Sequence, residues 1–230
     1  MRYITRHATT SAYESYAFTP ENTPNVAFVD SENEVHFIKQ IIPNGVYIYT
    51  TDGKFYTHEQ WAGLSVKPTV VGVAVKSDDT SFVIHSEVAT GLKFCTTWHA
   101  SQDLYREWGT PDMLTDFNGK ANTKLALDNI GTFPENTAAP YADAITFANG
   151  NRGYIPAAGQ LNLIKTNIST INTLRADLNL SAIATGSGII YTSSTCKDNY
   201  FTYFWGWNTY YNNWADNSKG DGRMIIIADI

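Results

Sequence analysis

Short apolar runs separated by turn residues dominate the first ninety positions. Asn25-Val26-Ala27-Phe28-Val29-Asp30 and Glu34-Val35-His36-Phe37-Ile38 flank the polar turn Ser31-Glu32-Asn33 and predict a hairpin. A polar start and a loop with two prolines, Pro20 and Pro24, precede it. A hairpin of that size is marginal alone, so residues 1–40 are expected to pack on a neighbour or another subunit as an attachment module. Val46-Tyr47-Ile48-Tyr49, the turn Asp52-Gly53 and Lys54-Phe55-Tyr56 predict a second hairpin. Val70 to Val75 reads as a buried strand, and Ser77-Asp78-Asp79-Thr80 as the turn into Ser81-Phe82-Val83-Ile84. Residues 41–94 are therefore expected to form a small β-rich domain, a meander with a structural role.

The period then lengthens. Tyr141, Ala144, Ile145 and Ala148 share a helical face over Pro140 to Ala148, with Asn149-Gly150 as the stop. After Pro156, the series Leu161, Ile164, Ile168, Ile171, Leu174 and Leu178 predicts two consecutive helices. They are divided near Asn167 and Ser169, with Ser169 placed to cap the second. Strands return at Gly188 to Ser193, Tyr200 to Trp207 and Arg223 to Ala228, with residues 208–222 expected as a loop. The fold class predicted is α+β.

Composition narrows the function. Charged residues are only 17% of the chain and the net charge is −6, with no cluster of Lys and Arg, which argues against nucleic acid. Cys95 and Cys196 exclude a disulfide framework; a single bridge stays open, and two separate buried thiols are expected. His7, His36, His58, His85 and His99 are scattered, so no zinc site is expected. The residues after Met1 develop no apolar segment, so neither a secretory signal nor a membrane span is expected.

Four motifs in order resemble the C-type-lectin-like domains of bacteria and phages, which share a fold with formylglycine-generating enzymes. They are Asp116-Phe117-Asn118-Gly119-Lys120-Ala121-Asn122-Thr123, Gly153-Tyr154-Ile155-Pro156-Ala157-Ala158-Gly159-Gln160, Tyr191-Thr192-Ser193-Ser194-Thr195 and Arg223-Met224-Ile225-Ile226. The resemblance covers residues 95–230 and implies helices packed on twisted antiparallel strands. It departs from the family pattern at Gln160, where Glu is usual, at Thr192, where Trp is usual, and in the closing strand. The segments Pro24 to Phe37, Gly45 to Tyr49 and Val71 to Val75 also resemble virion proteins from phages of gut Bacteroidales. Those resemblances, with the missing signal, imply a phage receptor-binding protein on a tail or capsid fibre, made in the host cytoplasm and carried on the virion. The alternatives are a decoration or fibre-assembly protein, and a bacterial surface adhesin.

The family's chemistry does not transfer. The enzymes use two neighbouring cysteines near the C-terminus, where this chain has only Cys196. Calcium-dependent sugar sites need several carboxylates, and Asp198, Asp216 and Asp221 read as turn formers. Glu87, Asp103, Glu107 and Asp112 offer no defined acid–base pair, and Ser193-Ser194 lies in no nucleophile elbow. No catalytic residue, metal or cofactor is expected. What stands out is that nine of the fifteen residues from Tyr200 to Trp214 are aromatic. Alternation places Phe201, Tyr203, Trp205 and Trp207 on one strand face, about half of them in the core. Beyond Trp207, Asn208, Tyr210, Tyr211, Asn212, Asn213 and Trp214 mix stiff rings with adaptable amides, as binding loops do. The expected ligand-binding set is thus Tyr203, Trp205, Trp207, Asn208, Tyr210, Tyr211, Asn212, Asn213 and Trp214. The expected partners are a cell-surface glycan or protein and other subunits of a homo-oligomeric fibre. Some members of the family are variable proteins of diversity-generating retroelements, which rewrite adenine-containing codons; the Asn and Tyr residues of 200–217 fit that process.

Overall fold

A computed structural model describes residues 42–94, 113–128, 136–196, 203–218 and 222–230, with only the backbone of Tyr203 and of 216–218. It also gives the backbone of four strands near the N-terminus. These are β1 (Arg2–Arg6), β2 (Tyr13–Ala17), β3 (Asn25–Val29) and β4 (Val35–Lys39), which pair as two hairpins. The hairpin expected around Ser31-Glu32-Asn33 is β3–β4, with Phe28 opposite His36. The β1–β2 hairpin was not expected, because Arg2 to Arg6 carries no clear alternation.

One eight-stranded sheet organises the rest. Its strands are β5 (Gly45–Thr50), β6 (Phe55–Tyr56), β7 (Val70–Lys76), β8 (Ser81–Leu92), β9 (Ile190–Cys196), β10 (Tyr203–Asn208), β11 (Asn213–Ser218) and β12 (Gly222–Asp229). Their spatial order is β11-β10-β9-β12-β8-β7-β5-β6. Neighbours are antiparallel except β12 and β9, which run parallel where Arg223 meets Tyr191. Five helices are present among the described residues: α1 (His58–Gly63), α2 (Gly119–Asp128), α3 (Ala138–Ala144), α4 (Ala158–Thr166) and α5 (Ile168–Asp177). The class is mixed α+β. The boundary expected between residues 94 and 95 does not divide the sheet, since β12 pairs along β8.

Both sheet faces are covered, which explains why β7 and β12 are apolar almost without interruption. Ala74, Met224, Ile226 and Ala228 pack with Ala126 of α2 and Ala138, Ala139 and Ala142 of α3. Val73, Val75, Ile225 and Ile227 point the other way, onto Trp61 of α1, Leu161 and Ile164 of α4, and Ile171 and Leu174 of α5. Period two in the strands and small residues in α3 thus produce three layers.

Two helix expectations are corrected. The helix expected from Pro140 to Ala148 spans Ala138–Ala144, because Ile145 turns extended and Thr146 then bridges Arg152. Asn149-Gly150, with Gly150 at φ +84°, closes that bridge and is not a helix stop. The long apolar run does split in two, but the break falls on Asn167 itself and Ser169 lies inside α5.

The first three motifs meet in one buried polar cluster, while Met224, Ile225 and Ile226 of the fourth lie in the apolar core. Asp116 is almost wholly buried, and its carboxylate accepts from Asn118 N (2.9 Å), Asn122 Nδ2 (3.0 Å) and Thr195 Oγ1 (2.7 Å). Thr195 Oγ1 accepts in turn from Ala158 N at 2.8 Å, and the Asp116 carbonyl accepts from Gly159 N at 2.9 Å. Thr123 Oγ1 accepts from Ile155 N at 3.0 Å, and Gln160 Oε1 from Ala157 N at 3.1 Å. A Cβ at Gly119 would sit 2.7 Å from Ala157 N and Ile155 O, so only glycine lets α2 approach this closely.

Strand register gives the sheet two unlike ends. Gly45 lies beside Lys76, Lys76 beside Ser81, and Phe82 beside Asp229. At the other end, Gly222 meets Leu92, Arg223 meets Tyr191, and Asn208 meets Ile190.

Replacing Asp116 by Ala strands three donors, two of them on buried side chains; urea unfolding should show a loss of about 3 kcal/mol or more. A second expectation concerns α1, which is tied to α5 by His58 Nδ1 and Asp177 Oδ2 at 2.7 Å. Asp177 raises the His58 pKa above its ordinary 6.5. A raised folded value stabilises below the unfolded pKa and is lost as pH climbs through the folded one. Stability should therefore fall as pH rises above about 6.5 and past the raised value, and Asp177→Asn should flatten that part of the curve.

Candidate functional site

The aromatic stretch folds as a hairpin, not as a strand and a long loop. β10 and β11 pair with Trp207 opposite Trp214 and Asn208 opposite Asn213, leaving Thr209 to Asn212 as the turn. The expected loop over residues 208–222 is therefore corrected: its middle is an edge strand whose polar composition hides the pairing. Asn208 Oδ1 accepts from Tyr210 N (3.1 Å) and Tyr211 N (3.3 Å), the side-chain turn that Asn forms readily. Asn212 closes the turn in the left-handed region at φ +51°.

The turn is held from behind. Thr209 N donates to Ile189 O at 3.1 Å, while Thr209 Oγ1 accepts from Gly186 N at 3.0 Å. The segment that receives it is fixed by α5. Asn172 exchanges two hydrogen bonds with Ile183, and Arg175 donates from Nε to Ser181 O at 2.8 Å. The same guanidinium donates to His85 O (3.0 Å) and Ser86 O (2.6 Å), joining α5 to β8. Burial lowers its pKa, and three carbonyls stand where a carboxylate would be usual.

The predicted binding residues separate accordingly. Tyr210 and Tyr211 are 61% and 70% exposed, with ring centroids 4.8 Å apart at 83°. Asn212 and Asn213 are exposed beside them. Trp214 is half-buried against the core, as is Asn208 in its turn-forming role. Trp207 is corrected to a core residue: it is 2% exposed and lies 5.6 Å from the Tyr191 ring. Trp205 is half-buried, and the side chain of Tyr203 lies outside the described residues, as does Phe201. Phe204 lies outside the face expected for Tyr203, Trp205 and Trp207, and it is buried all the same. Phe204 buries on one side of the sheet and Trp207 on the other, because helices or loops cover both faces.

Ser193 and Ser194 are fully buried in β9, and Ser193 Oγ donates to Trp205 O at 2.8 Å. Among the described residues no group of three His, Cys, Asp or Glu side chains could hold a metal ion. Asp198, Asp221, Asp103, Glu107, Asp112 and Cys95 lie outside them, while Cys196 is buried. No described helix is long and apolar enough to cross a membrane.

At the opposite end of the sheet lies a feature the sequence reading missed, two adjoining grooves of about 470 and 420 Å³ that share Lys120, Lys124 and Tyr154. Their cations are already engaged: Lys120 with Asp229 (2.6 Å), Lys124 with Asp128 (2.6 Å) and Arg152 with Asp143 (3.1 Å). Tyr154 donates to Asp229 at 3.0 Å, and burial with that carboxylate pushes its phenol pKa up. Lys120 and Tyr154 of this set stood in motifs, but their shared partner Asp229 is 109 and 75 residues away in sequence.

No protein-family model matches the chain, and no curated protein does. Among solved structures it is similar to a fimbrial protein from Bacteroides ovatus ATCC 8483, with a TM-score of 0.57 and 15% identity. The match covers 82% of this chain and 49% of that one, so the chain spans about half the length of the fimbrial protein. At this identity the likeness is one of fold.

The framework and the tip should respond differently to substitution. Tyr210→Ala and Tyr211→Ala should each change stability by less than about 0.5 kcal/mol, as surface changes do. Trp207→Ala should cost about 3–5 kcal/mol by emptying a core position, and thermal denaturation of the three variants compares them directly.

Proposed function

We propose that this chain is the binding module of a surface fibre, and that the Tyr210–Tyr211 turn is what it presents to another surface. The polarity of the sheet carries this reading. The chain enters the sheet at Gly45, at the same end as Asp229, whereas the two exposed tyrosines stand at the far end. Six residue steps along β12, from Arg223 to Asp229, separate the ends, which is about 20 Å. An attachment segment at one end and uncharged aromatic residues at the other suit display.

The fold shared with a fimbrial protein favours a bacterial surface adhesin over a virion protein. The virion reading keeps the support of the segments Pro24 to Phe37, Gly45 to Tyr49 and Val71 to Val75, which resemble phage virion proteins. Under either reading residues 95–230 are C-type-lectin-like on their four motifs, act by binding without catalysis, and are repeated in a homo-oligomeric fibre.

Labelled full-length chain, applied to bacterial cells, mucin and epithelial cells, tests the proposal. Binding to at least one surface is expected, with a loss of at least tenfold in a Tyr210→Ala, Tyr211→Ala variant. Equal binding by the variant, or no binding to any surface, would overturn it. Capture by Bacteroidales cells alone points to the virion reading, and capture by mucin or epithelium to the adhesin.

A further inference from the structure

Resting on that adhesion reading, we propose that the Tyr210–Tyr211 turn binds a neutral saccharide, a chain of hexopyranose or N-acetylhexosamine units, and not an acidic glycan or a protein. Charge is the first argument. Residues 199–215 form an unbroken uncharged stretch between Asp198 and Asp216, in a chain of net charge −6. The segment Ala184 to Ile189, which holds the turn, is uncharged as well. Arg223, which register brings to this end of the sheet, keeps its charge beside Tyr191 on β9, outside the turn. A sialylated, uronic or phosphorylated ligand would find no counter-charge in the turn itself and would meet the repulsion of an acidic protein.

Area is the second. Two rings exposed by 61% and 70% offer about 300 Å², since a fully buried aromatic side chain covers roughly 150–250 Å². A stable protein interface needs about 800 Å² from each partner. The other exposed large apolar side chains among the described residues are Val66, Leu114 and Tyr141, and none of them belongs to β9, β10, β11 or β12. The patch fits one or two sugar rings and falls short of a protein epitope.

Shape is the third. The rings stand perpendicular at 83°, so a ring laid on one phenol meets the edge of the other. A pyranose has a face of C–H groups that stacks on an aromatic ring, and peripheral hydroxyls that need hydrogen-bond partners. Here those partners are the two phenols and the exposed amides of Asn212 and Asn213. The Asn208 side chain and the Thr209 backbone already hold the turn, so binding orders little that is loose. One such contact is weak, and many copies on a fibre would strengthen it by about 10²–10⁴ through avidity.

Beads carrying many copies of the full-length chain, read on immobilised neutral and acidic oligosaccharides, provide the test. The expected result is retention on at least one neutral oligosaccharide. Tyr210→Ala, Tyr211→Ala should lower it at least tenfold, Tyr210→Phe should leave it within about threefold, and circular dichroism should stay unchanged. Retention only on acidic oligosaccharides, retention on none, or equal retention by the double alanine variant would each overturn the proposal. Cell binding separates this failure from that of the adhesion reading. If it depends on the tyrosines, survives periodate and is abolished by protease, the saccharide is wrong and adhesion stands. If it ignores the tyrosines, the adhesion reading itself falls.

Discussion

A buried carboxylate joins the two halves of this fold. Asp116 is removed from water, which is costly for a charge unless every lone pair finds a donor. Its donors come from three places: the turn before α2, the first turns of α2, and β9 seventy-nine residues later. Because Thr195 also accepts from Ala158, the same hydrogen-bonded cluster fixes the start of α4. Gly119 and Gly159 then follow of necessity, since a side chain at either would collide with backbone of the partner segment. Three of the four motifs that suggested a lectin-like family are, in this chain, the parts of that cluster.

From β9 the consequences spread outward along the sheet. β10 pairs with β9, β11 with β10, and the turn between them is tied to the segment that α5 secures through Asn172 and Arg175. The exposed tyrosines thus stand at the end of a chain of short, well-partnered links. Their own side chains take no part in it, so the turn separates holding from presenting. Asn208 and Thr209 hold the backbone, and Tyr210 and Tyr211 face solvent. A surface contact organised in this way can change its side chains without disturbing the frame. The ion-paired grooves beside Asp229 lie at the other end, with their charges satisfied internally.

Fold class and most strands were legible in the residues. The apolar runs at 70–75 and 223–228 and the Asp52-Gly53 turn are where the pattern places them, because a strand's period is a local property. The helical run after Pro156 was legible for the same reason, down to the interruption at Asn167. Pairing was not. That β12 lies between β8 and β9 depends on contacts more than a hundred residues apart for β8, which no local period records.

The aromatic segment shows the division most clearly. Composition alone singled out residues 200–214, whose Tyr and Asn are the residue types the proposed contact would use. Which rings are core and which face solvent depended on how many layers cover the sheet. With both faces occupied, Phe204 and Trp207 bury on opposite sides, and alternation no longer separates inside from outside. Edge position made β11 polar enough to read as a loop, and only its register with β10 reveals a strand. The residues of this chain determined its elements and the chemistry of its tip, since both follow from neighbours in sequence. Tertiary structure alone decided that Trp207 is buried and Tyr210 and Tyr211 are not, because exposure is set by whatever else the fold lays on top.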